Sequence, residues 1–185
     1  MKATILFADN NPDFLATRKE FLERKGYHVI PVLNTEAARS ELAEGNVNLA
    51  ILDIRLVDDD DEKDVSGLAL AKAAAYRDIP KIILTGFPTP NAVVDALKVR
   101  PDRSRPALDF LEKKEGHEAM LIAVEQALAA SRRQWQSHLV FPLLLLLGAL
   151  LAGVVAIIHS DPRWLIGTVI LGILFGISMW RLAVS

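Results

Sequence analysis

Cysteine is absent from the 185 residues, which excludes disulfides and thiolate metal sites. Neither sign of charge dominates. With 21 Lys and Arg against 23 Asp and Glu, the formal net charge is -2, which gives no reason to expect nucleic acid as a partner. The four histidines are scattered and form no metal-ligand cluster, and there is no glycine-rich phosphate loop and no Ser-His-Asp arrangement. A secretory signal is missing too: Met1-Lys2-Ala3-Thr4 leads straight into a short apolar run, without a longer apolar core or a small-residue cleavage site. The first part of the chain is therefore expected to stay in the cytoplasm. Charge becomes scarce past His138, where only Asp161, Arg163 and Arg181 carry it. This uneven spread accounts for a mean hydropathy of +0.26 and divides the chain into a charged globular region and a membrane region.

Within the globular region, the stretch from Val47 to Leu56 organises the rest. Leu49 to Leu52 is uniformly aliphatic, the pattern of a parallel strand buried on both faces, and Asp53 stands where the strand runs out. Thr4 to Ala8 is a similar run that ends in Asp9-Asn10-Asn11-Pro12, where Asn11 and Pro12 suit the start of a helix. That helix carries Phe14, Leu15, Phe21 and Leu22 on one face and stops at Gly26. Strands are expected at Tyr27–Leu33, Pro80–Leu84 and Ala107–Leu111. Helices are expected from the Asn34 cap to Glu44, over Leu68–Tyr76 and Pro90–Val99, and from about His117, with Met120, Leu121, Val124 and Leu128 on one side. Five strands alternating with five helices imply an α/β, doubly wound parallel sheet, and about 130 residues suffice for its core.

Four strands deliver polar residues to their carboxyl ends: Asp9 and Asn10, Asp53, Thr85 and Lys113. Ligands bind beyond the carboxyl ends of such strands, at the switch point of the sheet. Paired carboxylates make a hard oxygen site suited to magnesium, a lysine adds a compact positive charge, and a threonine hydroxyl can donate to an anion. Together they describe a place that receives a phosphoryl group. An aspartyl phosphatase of the haloacid dehalogenase type would need a second aspartate two residues after the nucleophile. Here that position is Arg55, whose guanidinium cannot give up a proton. No enzyme activity is expected.

The segments Ile5 to Pro12, Leu52-Asp53-Ile54-Arg55-Leu56, Ser66-Gly67-Leu68, Leu84-Thr85-Gly86-Phe87 and Asp109-Phe110-Leu111-Glu112-Lys113 resemble the receiver domain of bacterial two-component response regulators. The resemblance covers residues 1–130 and implies a flavodoxin-like sheet in the order 2-1-3-4-5. It implies that Asp53 is the phosphoacceptor and that Asp9 and Asn10 occupy the acidic metal positions, with Arg55 offering its backbone carbonyl to a magnesium ion. Thr85 would read the phosphoryl group, Phe110 would be the aromatic switch and Lys113 would pair with the phosphate. The implied partners are a histidine kinase or small phosphodonor and an output protein, with a second copy of the chain as a further candidate.

This sequence departs from the family pattern at three places. Asn10 replaces a carboxylate that binds the metal, which removes a charge and weakens the site. Lys114 replaces the usual proline after the lysine, so the local turn is expected to differ. The loop after Asp53 carries Asp58-Asp59-Asp60-Asp61-Glu62-Lys63-Asp64; it is either a solvated surface loop or a source from which Asp58 or a neighbour folds back to restore the charge missing at Asn10.

From Leu139 to Ile158 there is no charged residue, and about 1.5 Å per residue makes this segment about 30 Å long, one hydrocarbon core. Trp164 to Trp180 is a second uncharged run with tryptophan at both ends, and Arg181 can snorkel. The tight link His159 to Arg163 makes the pair an antiparallel hairpin over 139–185. Arg132, Arg133 and Arg181 place both termini in the cytoplasm and the hairpin in the inner or plasma membrane. Gly172 with Gly176, and Ala149 with Gly153, allow close helix approach. The segment 131–138 has no glycine or proline and reads as a helical connector. A membrane-anchored receiver follows from these parts. The alternatives are a membrane-perturbing or pore-forming effector that assembles through this domain, and a scaffold that is not phosphorylated.

Overall fold

The computed structural model describes residues 3–58, 60–101, 104–132, 148 and 174. The two uncharged runs expected to cross the membrane lie almost wholly outside the described residues, among which no helix is long and apolar enough to do so. The chain divides into two compact units, Met1–Ala130 and Ser131–Ser185.

The first unit alternates strand and helix: β1 (Thr4–Ala8), α1 (Pro12–Arg24), β2 (His28–Val32), α2 (Thr35–Glu44), β3 (Leu49–Leu52), α3 (Ser66–Ala71), β4 (Lys81–Thr85), α4 (Pro90–Leu97) and β5 (Asp109–Glu112). A further helix of this unit, α5, begins at residue 116. The five strands are parallel and lie in the order β2-β1-β3-β4-β5. This is the flavodoxin-like arrangement expected from the sequence.

Strand alternation divides the core in two. Ile5, Phe7, Leu49, Ile51, Ile82, Leu84 and Leu111 face α1 and α5, where Leu15, Leu22, Met120 and Val124 meet them. Leu6, Ala8, Ala50, Leu52 and Ile83 face the opposite way, toward Ala38, Leu42, Leu68, Leu70 and Ala96 on the other three helices. Because β1, β3 and β4 are covered on both faces, they read as unbroken apolar runs. Pro31 fits because β2 is an edge strand, where a missing backbone donor is tolerated.

Helix starts follow their caps. The Asn11 side chain accepts from the backbone N–H of Asp13 and Phe14 at 3.1 and 3.0 Å, and the Asn34 side chain accepts from Ala37 at 2.9 Å. Gly45, at φ 77°, ends α2 in the left-handed region that favours glycine.

The structure shortens one expected helix. Instead of running from Leu68 to Tyr76, α3 stops at Ala71, Ala73 is extended, and Ala74–Tyr76 forms a separate 3-10 turn. Side chains occupy the carbonyls around the break. Arg100 Nη1 donates to Lys72 O at 2.8 Å, and the buried Lys81 ammonium donates to Tyr76 O and, at 2.8 Å, to Ile79 O. At the other edge of the sheet, β5 starts at Asp109, later than expected; just before it Ala107 N–H bonds to Ala96 O of α4 and Leu108 N–H to Lys81 O of β4.

Candidate functional site

Parallel pairing puts the ends of β1 and β3 side by side, with Ala8 in register with Leu52. The next residue on each strand is the aspartate, and Asp53 N–H donates to Ala8 O at 2.9 Å. Asp9, Asp53 and Thr85 are each at most 1 % exposed. Lys113, just past β5, reaches across to the pair. Its Nζ lies 3.1 Å from Asp9 Oδ1 and 2.9 Å from Asp9 Oδ2, and forms an ion pair with Asp53 Oδ2.

Burial sets the electrostatics. It raises the Asp9 carboxyl above its usual range, against the opposing pull of Lys113 and with a smaller push from the Asp53 charge. The Asp53 carboxyl is raised by the same cause, opposed by Lys113 and by the Thr85 hydroxyl. Burial alone would lower Lys113, but the two carboxylates outweigh it and its pKa is raised. Lys113 therefore stays charged between two costly carboxylates.

Three oxygens of this cluster are buried without a hydrogen-bond partner: Asp9 Oδ2, Asn10 Oδ1 and Asp53 Oδ1. Asp9 Oδ2 still faces the lysine as an ion pair. Buried oxygens with unused lone pairs are unfavourable unless something answers them. Two carboxylates and an amide form a hard-oxygen set that fits magnesium. Among the described residues no group of three or more His, Cys, Asp or Glu side chains could hold a metal, so the donor set at this site depends on the amide of Asn10.

The remaining expected residues fall around this cluster. Phe110 is half-buried and packs against the core face shared with α2, α3 and α4, in register with Ile83. Arg55 is 9 % exposed, and its guanidinium stacks over the half-exposed Phe87 ring at 4.1 Å. Asp58 does not join the site. It is exposed, and its Oδ1 accepts from Asp60 N–H at 2.9 Å. Asp58 therefore does not restore the charge missing at Asn10, and its neighbour Asp59 lies outside the described residues. The organiser of this loop is Asp64, whose carboxylate accepts from the N–H groups of Val57, Asp58 and Ser66 at 2.8, 3.0 and 2.8 Å. Burial pushes the Asp64 carboxyl up, but these bonds and the Ser66 hydroxyl outweigh it and hold it below the usual range. At Lys114 the structure has a 3-10 turn over Lys113–Glu115, stabilised by Glu115 Oε1 accepting from Glu112 N–H at 2.7 Å.

Sequence reasoning missed Arg18, which is buried on α1 and donates from Nη2 to Lys113 O at 3.1 Å. The signal was its spacing: four residues after Phe14 and four before Leu22, on the apolar face.

Residues 5–125 match the family of response regulator receiver domains. The chain belongs to this family. Among curated relatives, response regulator GtcR of Aneurinibacillus migulanus is 39 % identical over 56 residues, which span 30 % of this chain and 23 % of that relative. The match thus covers less than a quarter of GtcR. Similar solved structures include the CheY-like receiver domain protein of Methanospirillum hungatei JF-1, at TM-score 0.59 and 21 % identity over 71 % of this chain and 98 % of that one. NtrX of Brucella abortus gives TM-score 0.61 and 24 % identity over 74 % of this chain and 29 % of NtrX. A response regulator of Burkholderia pseudomallei, solved with a phosphorylated aspartic acid, a calcium ion and citrate, gives TM-score 0.56 and 24 % identity over 72 % of each chain. At these identities the solved structures speak for the receiver fold alone.

Proposed function

We propose that this receiver domain accepts a phosphoryl group on Asp53 from a histidine kinase or a small acyl phosphate, and signals through protein contacts. The observation that carries the reading is the Lys113 ammonium seated between two buried carboxylates at the ends of β1 and β3. In the transfer, an Asp53 carboxylate oxygen attacks phosphorus and the bond from phosphorus to the donor atom breaks: the imidazole nitrogen of a phosphohistidine, which leaves as histidine, or the acyl oxygen of acetyl phosphate, which leaves as acetate. Lys113 balances charge on the phosphoryl oxygens, and the Thr85 hydroxyl donates to one of them. Asp9, Asn10, Asp53 and the Arg55 carbonyl would hold magnesium, which when bound neutralises the phosphoryl oxygens. Phosphorylation would draw Thr85 and Lys113 inward and repack Phe110, biasing a two-state domain whose altered face is built from α4, β5 and α5.

The C-terminal hairpin, read from sequence, anchors the domain to the inner or plasma membrane with both termini in the cytoplasm. Confinement there raises the effective concentration for contacts with a partner or another copy.

The test is incubation of the full chain with acetyl phosphate and magnesium, followed by mass spectrometry. The expected result is a gain of one phosphoryl group that Asp53→Asn loses. No gain in the wild type, or a gain retained in the variant, would overturn the proposal. A second expectation concerns the missing charge. Asn10→Asp should tighten magnesium binding roughly tenfold by calorimetry, because ligand charge sets affinity at oxygen sites. Unchanged affinity would remove Asn10 from the ligand set.

A further inference from the structure

Arg18 is a guanidinium where an apolar side chain would serve the core more cheaply. It sits on α1 with Leu15 and Leu22, 7 % exposed, and burial lowers its pKa. Its Nη1 is buried without a hydrogen-bond partner, and no carboxylate pairs with it among the described residues. A buried charge is expensive unless something specific holds it. Two contacts do so. Nη2 donates to the backbone carbonyl of Lys113 at 3.1 Å, across 95 residues of chain, and the guanidinium carbon lies 4.8 Å from the centroid of the Phe14 ring.

The same ring takes a second cation. Lys113 Nζ is 5.0 Å from the Phe14 centroid, and Phe14 itself stands edge-on to the buried Phe7, 6.4 Å away at 88°. Lys113 is thus held at three points: its carbonyl by Arg18, its ammonium beside Phe14, and its charge by Asp9 and Asp53. The first is the hydrogen bond by which α1 sets the height over the site of the corner where β5 turns into Lys113–Glu115.

We propose that Arg18, braced on Phe14, is a positioning residue that fixes the backbone of Lys113 so that its ammonium stands between Asp9 and Asp53. Its importance for phosphoryl uptake rests on the function proposed above; the positioning itself does not.

The test therefore reads the lysine directly. The full chain and Arg18→Met are labelled with trace acetic anhydride, and the acetylation of each lysine is compared by mass spectrometry. Lys81, 1 % exposed and held by two carbonyls elsewhere in the fold, is the internal control. Loss of one hydrogen bond should raise Lys113 labelling roughly fivefold with Lys81 unchanged. An unchanged Lys113, or an equal rise at both lysines, would overturn the proposal, the second outcome showing only a weakened fold. The initial rate of uptake from acetyl phosphate should fall by a similar factor, and an unaffected rate would also count against it. If the wild type takes up no phosphoryl group, the function fails and labelling alone decides the positioning. Should Arg18→Met not fold, Arg18→Lys carries the same readings, because it keeps the charge and lacks the second nitrogen that reaches the carbonyl.

Discussion

Gly67→Ala is expected to cost about 3–4 kcal/mol, a large part of the 5–15 kcal/mol typical of a whole domain. A Cβ at this position would overlap the backbone carbonyl oxygen of Asp53 and lie 2.9 Å from its carbon and 3.2 Å from Leu56 Cδ1. The obstacle is backbone, which cannot rotate away as the end of a side chain can. The loop is also held close on both sides of the overlap. Gly67 N–H donates to Ile54 O at 2.9 Å, and Ser66 Oγ accepts from Leu56 N–H at 3.1 Å. Relief would move either α3 or the segment that presents Asp53. Thermal unfolding should therefore show a melting temperature lower by about 10 °C or more, given a few degrees per kcal/mol for a domain of this size. Phosphoryl uptake should fall in parallel, because Asp53 is displaced. A melting temperature within 2 °C of wild type would mean that the loop does not approach Asp53 so closely in solution.

Gly67 also shows where the sequence is silent. The strand-end residues Asp9, Asp53, Thr85 and Lys113 are legible because each terminates an apolar run, and strand ends in such a sheet converge whatever the loops do. Gly67 is legible as part of a recognisable segment, but its reason is a through-space approach to Asp53 that no local pattern encodes. Asp64 is hidden among neighbouring acids. Only hydrogen bonding separates it, as the acceptor for three backbone donors, from Asp58, which serves only its own turn. At the break in α3, Arg100, which comes later in the chain, takes the Lys72 carbonyl that a helix continuing to Tyr76 would have used. Arg18 was legible in principle, since a charged residue on the apolar stripe of α1 needs a partner, but the partner, a backbone carbonyl, leaves no trace in sequence. The expected hairpin of 139–185 lies almost wholly outside the described residues.

Lys113→Met should destabilise the metal-free protein by about 3–5 kcal/mol at pH 7, because it leaves Asp9 and Asp53 buried without their counter-charge. The sign of its pH dependence separates this cause from lost packing. Burial raises both carboxyls in the folded state, and removing the opposing lysine raises them further. A carboxyl raised on folding favours the folded state fully below its unfolded pKa, near 3.8, and that contribution is lost as pH rises through the folded pKa. The deficit of the variant should therefore shrink as pH falls from 7 toward 5. In the wild type the raised Lys113 adds stability that is present below about 10.5 and is lost as pH rises through its folded value, so the gap should also narrow in strong alkali. Magnesium in the millimolar range should restore part of the loss at pH 7, because a ligand that binds only the folded state stabilises it by mass action. Melting curves of both proteins at pH 5 and pH 7, with and without magnesium, test this. An equal gap at the two pH values would mean that Lys113 serves the fold through its packing, and that the two carboxylates do not depend on its charge.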